Sequence, residues 1–171
     1  VTFDYMNVKP ANVDEYINLE SEVWKPVHKA YQKHEFEVSW SLYRVRGAGT
    51  QNHYNYVTVS VYDGLGSLDR NIDDEEEIIS KIYSNEDLSE FWNRTSEARL
   101  HTGRDVFFVY DQALKGNNKE LSAFSSGKIG QDITVTFMQT LAGQDAVGLE
   151  SKWWKPIHKE RIKRRVVNSW E

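Results

Sequence analysis

Hydrophobic and polar positions along this chain follow two periods. Val1 to Val8 is rich in β-branched and aromatic residues and predicts a strand. After a turn at Pro10-Ala11-Asn12, the positions Val13, Tyr16, Ile17, Glu20, Trp24, Val27 and Tyr31 are spaced by threes and fours. That spacing predicts a helix of about 20 residues. Pro26 falls inside it and cannot donate to the carbonyl of Glu22, so a kink is expected, or a restart with Pro26 at the first position of a second piece.

Beyond the helix, Val38 to Arg46 alternates up to Gly47-Ala48-Gly49, and His53 to Asp63 reads as the returning strand of a hairpin. Val57, Val59 and Val61 share one face of that second strand; Tyr54, Tyr56, Thr58, Ser60 and Tyr62 share the other. The valines are expected to bed the helices, leaving a tyrosine and hydroxyl surface for a polar-lined cavity or a partner sheet. Residues 71–100 predict two helical pieces. Asp73 to Glu77 supply acidic groups to a first turn, Ile78, Ile79 and Ile82 form the buried stripe, and Ser84 or Asn85 caps a second piece carrying Leu88, Phe91 and Trp92. Asp105 to Tyr110 is expected to be the closing strand.

The segment Leu19 to Lys29 reappears as Leu149 to Lys159 at a constant offset of 130, and from Leu19 to Trp40 eleven of 22 positions are identical. Such self-similarity marks an internal duplication. Upstream, Val1 to Met6 pairs with Ile133 to Met138, so the second copy is expected to open with a strand over Ile133 to Leu141 and to continue into its own Trp-Lys-Pro helix. The chain thereby divides into a first repeat over 1–115, a linker over 116–131 rich in Gly, Ser, Asn and Lys, and the strand and helix of a second repeat over 132–171. The second copy has no counterparts for the first-copy elements beyond Trp40. Either further sequence or a partner subunit, such as a second copy in a homo-oligomer, is expected to complete its sheet.

Composition narrows the chemistry. The chain has 171 residues, a formal net charge of -5 and no cysteine, which removes disulfides, thiol catalysis, Cys-based zinc sites and iron–sulfur ligation. Its longest apolar run, Val106 to Tyr110, is far short of the ~20 residues of a membrane-spanning helix. No transmembrane segment and no nucleic-acid partner is expected. Six Trp and nine Tyr supply many anchors for a core, a pocket or an interface. A start at Val1 is compatible with an exported chain, in the periplasm or at the cell surface, whose signal peptide has been removed; the absence of Cys fits the cytoplasm equally. Lys152, Lys155, Lys159, Arg161, Lys163, Arg164 and Arg165 make the second helix basic, which in an acidic chain reads as a solvated face.

The order β-α-β-β-α-β is the split βαβ, or ferredoxin-like, arrangement. Two such units in tandem resemble the dimeric α/β-barrel superfamily in its fused form, an α+β class with antiparallel sheets backed by helices. The repeated Glu-x-x-x-Trp-Lys-Pro-Ile/Val-His pattern, with Trp-Ser-Leu-Tyr and His-Tyr-Asn-Tyr-Val-Thr-Val strands after the first copy, is similar to a group of uncharacterised bacterial proteins often made with an export signal. The superfamily includes cofactor-independent monooxygenases, haem proteins and isomerases. No catalytic set of these enzymes maps here residue by residue, and fold alone does not assign chemistry.

Glu20, Trp24 and His28 lie at i, i+4 and i+8 on one helix face, and Glu150, Trp154 and His158 repeat them. The tryptophans read first as core anchors. The Glu and His read either as a buried polar network or as a site in which His28 or His158 shuttles a proton while Tyr54 and Tyr56 orient a ligand. Glu20 and His28 are about 12 Å apart along the helix axis, too far to share an ion, so no metal site is expected, and no cofactor. The favoured function is binding of a small apolar or aromatic molecule, or of a protein, through the tyrosine face. An acid/base enzyme of monooxygenase or isomerase type is the alternative, and a structural subunit of an exported assembly is a third. Asn93-Arg94-Thr95 matches a glycosylation sequon within a predicted helix.

Overall fold

The structure, a computed structural model, describes residues 1–47, 53–68, 72–83, 85–110, 112–114, 132–136, 141–167 and 169–170. The chain forms two compact units, Val1–Phe107 and Phe108–Glu171.

In the first unit β1 (Thr2–Asn7) leads through a 3-10 turn at Pro10–Asn12 into α1 (Val13–Asn18), a π-helical turn (Leu19–Trp24) and α2 (Lys25–Lys33). Pro26 stands at the second position of α2, the piece that follows the π turn, close to the restart expected from the sequence. Its ring would collide with the carbonyl of Glu22 in a regular helix. The wide turn relieves this: the Lys25 N–H reaches back five residues to the Glu20 carbonyl. The hydroxyl of Tyr83 donates at 3.1 Å to the neighbouring Val23 carbonyl. The helix ends in a Schellman motif, with Phe36 N–H bonded to Tyr31 O, Glu35 N–H to Gln32 O, and Glu35 left-handed at φ 59°.

Strands β2 (Ser39–Arg44) and β3 (Tyr56–Val61) come next, then the short α3 (Leu65–Leu68), α4 (Ile72–Ile82), α5 (Asn85–Ala98) and β4 (Leu100–Val106). The four strands form one antiparallel sheet in the order β2-β3-β1-β4, an α+β arrangement. The closing strand starts five residues earlier than expected, at Leu100 rather than Asp105, and Phe107 to Tyr110 lie beyond it. The apolar run points to the wrong segment. The real edge strand is polar and is held by cross-strand partners of β1 rather than by burial. Gly47 is described, while Ala48, Gly49 and Ser84 lie outside the described residues.

The faces of β3 are the reverse of the expectation. Tyr56 stands opposite Met6 and joins Met6, Val8, Tyr16, Leu19, Val23, Trp24, Val27, Ile79 and Ala98 in the core under the helices. Thr58 and Ser60, opposite Asp4 and Thr2, face the same way. Val57, Val59 and Val61 lie on the side away from the helices and are buried there as well. Alternation identifies which residues share a face, but with both faces buried it cannot say which one meets the helices. Tyr54 does not share a face with Tyr56. A bend at Asn55 interrupts the alternation, and Tyr54 packs on Tyr5, 4.6 Å between ring centroids, on the valine side.

The second unit contains β5 (Ala113–Leu114), α6 (Ala146–Leu149), a π turn (Glu150–Trp154), α7 (Lys155–Lys163) and β6 (Ser169–Trp170). The duplication extends to backbone detail. Lys155 N–H reaches Glu150 O across the π turn, and Arg165 repeats the left-handed helix end at φ 61° with Val166 N–H bonded to Arg161 O. The expected opening strand, Ile133 to Leu141, is not formed over 133–136, whose residues are exposed; 137–140 and the 116–131 linker lie outside the described residues. Ser169 and Trp170 pair with Leu114 and Ala113, as Ser39 and Trp40 pair with Val61 and Ser60 in the first copy. The residues Ala113–Leu114 thus take the place of β3 beside the second helix.

Candidate functional site

The helix-facing side of the first sheet is polar where a core would normally be apolar. Asp4, Thr2, Thr58 and Ser60 are all buried on it, and Glu20 is buried above it. Asp4 Oδ1 accepts from His101 Nε2 and from Arg104 Nε, both at 2.8 Å. His101 and Arg104 are three apart, a spacing that places strand residues on opposite faces. A bulge after Tyr5 in the β1–β4 register lets both reach the same carboxylate.

Glu20 lies on the first residues of the π turn, 3.9 Å from Arg99 Nε and beside the hydroxyl of Tyr16. Burial pushes its carboxyl above the ordinary glutamate value, with Arg99 and Tyr16 opposing. Tyr16 is driven up as well, first by burial and then by the Glu20 charge. Its ring meets that of Tyr56 edge-on at 5.2 Å. By strict hydrogen-bond geometry Tyr16 Oη and Arg99 Nε have no partner among the described residues, although both lie beside the Glu20 carboxyl; Thr2 Oγ1, also without one, stands on β1 opposite Ser60, four residues from Met6.

Trp24 and His28, one and two turns on, reach different neighbours. Trp24 Nε1 donates to Thr95 Oγ1 at 2.9 Å, and its ring packs on Trp92 at 4.4 Å. Thr95, the hydroxyl residue of the sequon, is buried by this bond within α5. His28 Nδ1 bonds the buried carboxylate of Glu37 at 3.1 Å, and its imidazole stacks on Trp40 at 4.7 Å and 13°. Glu75 on α4 feels Arg104 and His28, and burial raises its carboxyl.

The second copy keeps only part of this. His158 stacks on Trp170 at 5.2 Å and 10°, as His28 does on Trp40. Val167 stands where Glu37 stands in the first copy, and Arg161 Nη1 approaches His158 Nδ1 at 3.5 Å. Burial and the Arg161 guanidinium lower the His158 pKa, opposed by Glu150. Trp154 is half exposed, and its ring lies 6.4 Å from His158.

The structure thus brings Glu20 and Tyr56 together through Tyr16, sets His28 at a separate point of the same layer, and turns Tyr54 away. Glu37, Arg99, Asp4 and Thr95 join the layer without any signal in the sequence. A lone acid or arginine carries no periodic mark, and Arg99 and Thr95 lie more than seventy residues from the groups they meet. Among the described residues no group of three or more His, Asp or Glu could hold a metal ion, and no helix is long and apolar enough to cross a membrane. No protein-family model, curated protein or solved structure matches this chain.

Proposed function

We propose that the chain is built from tandem ferredoxin-like repeats and that the first binds a small aromatic or apolar molecule bearing a polar group between its helices and its sheet. The strand order β2-β3-β1-β4 and the repeated π turn support the architecture. The observation that carries the binding reading is the pair of loosely held buried groups beside the Glu20 carboxyl, Tyr16 Oη and Arg99 Nε. A buried polar group short of good hydrogen-bond geometry costs about 1–3 kcal/mol, so two beside one buried carboxyl favour a guest oxygen that completes them. Donors from Arg99 and Tyr16 suit a phenol or carboxylate oxygen, while Tyr56 and Met6 offer an apolar wall.

The test is a titration with phenol, benzoate and 4-hydroxybenzoate, monitored by Trp fluorescence and by NMR. Saturable binding is expected, weakened roughly tenfold by Tyr16→Phe, which keeps the ring and removes the hydroxyl. No saturable binding, or an affinity indifferent to Tyr16→Phe, overturns the reading.

A second reading rests on His28. A buried carboxylate on Nδ1 is the arrangement that orients an imidazole for proton transfer through Nε2. Among the described residues no carboxylate bonds His158 in this way, so an acid/base enzyme of this fold would use His28. Turnover abolished by His28→Asn and reduced by Glu37→Gln would support it.

A further inference from the structure

The second copy of the Trp-Lys-Pro helix presents a face that the first copy covers. Leu19, Val23, Trp24 and Val27 are 0%, 8%, 8% and 2% exposed; their counterparts Leu149, Trp153, Trp154 and Ile157 are 46%, 60%, 50% and 48% exposed. In the first copy the cover includes α4 and α5. Ile79 and Ala98 pack into the shared core, Thr95 accepts from the Trp24 indole, and Trp92 lies against its ring.

Charge points to the same kind of cover. The covering segment 72–98 carries nine acidic and two basic residues. The helix it covers is balanced over 19–35, with three acidic and three basic residues, whereas 149–165 holds seven basic and two acidic. The substitutions that make the difference are Glu22 to Lys152, Tyr31 to Arg161, His34 to Arg164 and Glu35 to Arg165 between copies. An apolar stripe has been kept, and the polar ground around it has become cationic.

We infer that the Leu149, Trp153, Trp154 and Ile157 face is a docking surface for an acidic amphipathic helix with the chemistry of α5. That helix lies on the second copy as α5 lies on the first. It inserts apolar side chains at three- and four-residue spacing between the tryptophans, offers a hydroxyl or carbonyl to the Trp154 indole N–H, and sets its carboxylates against Lys152, Lys159 and Arg161. The chemistry recognised is the pattern of residues 85–98, in which Leu88, Phe91, Trp92 and Thr95 lie along one face.

The probe is a fluorescein-labelled synthetic peptide with the sequence of residues 72–98, carrying a photo-crosslinking residue in place of Trp92, titrated with the whole chain at low salt. Saturable anisotropy at about micromolar concentration is expected, the ordering of a free peptide weakening it from nanomolar. Crosslinks are expected at 149–157. Trp154→Ala and Ile157→Ser should each weaken binding tenfold or more, as should the pair Lys152→Glu and Lys159→Glu, with the circular dichroism of the chain unchanged. The inference is overturned by any of three results: a scrambled peptide of the same composition binding equally well, crosslinks falling on 19–27 instead, or phosphatidylserine vesicles binding the face while the peptide does not.

Discussion

The indole Nε1 of Trp24 donates to Thr95 Oγ1 over 2.9 Å, and the same hydroxyl donates onward at 2.6 Å to the Phe91 carbonyl. This buried relay joins the π turn of the first helix to α5 across 71 residues of sequence. Thr95→Val keeps the volume but strands the indole N–H. A loss of about 1–3 kcal/mol is expected, with Thr95→Ser closer to the parent. Urea unfolding checks it; an unchanged midpoint for the valine variant would show that Trp24 holds by packing alone.

Asn55 acts as a side-chain extension of the sheet. Its Nδ2 donates to the Val8 carbonyl at 2.7 Å and its Oδ1 accepts from the Val8 N–H at 2.9 Å, satisfying both backbone groups of a buried residue just past β1. Asn55→Ala is expected to cost about 2–3 kcal/mol by stranding both groups. Asn55→Asp should be at least as harmful, since a carboxylate would face the Val8 carbonyl with no donor. Thermal unfolding of the two variants ranks them, and an aspartate variant as stable as the parent would refute the assignment.

Glu20 should make stability fall with rising pH. Because burial raises its folded-state pKa, the native protein holds the proton more tightly than the unfolded chain. Its contribution is therefore fully present below the ordinary glutamate value and is lost as pH climbs through the folded value. Glu20→Gln imitates the protonated form. Its melting temperature relative to the parent should improve as pH rises above the ordinary glutamate value and level off above the folded one, and a flat or declining difference would contradict the sign.

How much of this could be read in the residues depends on range. The helix, its proline and its duplicate are legible because identity at a fixed offset and three-four spacing are local signals. The reversed faces of β3 are not, since Tyr56 is drawn under the helices by Tyr16, forty residues away. The closing strand escapes for a related reason. Leu100–Val106 is exposed for most of its length, and what fastens it is Asp4, whose two cationic partners reach it only through a bulge that no sequence period announces. The polar layer around Glu20 shows the same limit. Its helix face can be drawn in advance, but Arg99 and the Tyr16 hydroxyl become meaningful only when the sheet closes beneath them.

The helix end at Glu35 supplies the last prediction. Both copies place a non-glycine residue in the left-handed conformation at the same point of the Schellman motif, Glu35 at φ 59° and Arg165 at φ 61°. An L side chain there costs about 1 kcal/mol relative to glycine, because its Cβ crowds the backbone carbonyl. Glu35 is exposed, so its removal opens no cavity in the core. Glu35→Gly should stabilise the first unit by about 0.5–1 kcal/mol, even though glycine also gains freedom in the unfolded chain. Glu35→Val should do the opposite, since a β-branched side chain tolerates the left-handed region least. Equilibrium unfolding of the pair separates conformational cost from charge: both variants remove the same carboxylate, so equal shifts would assign the effect to charge and refute the backbone argument.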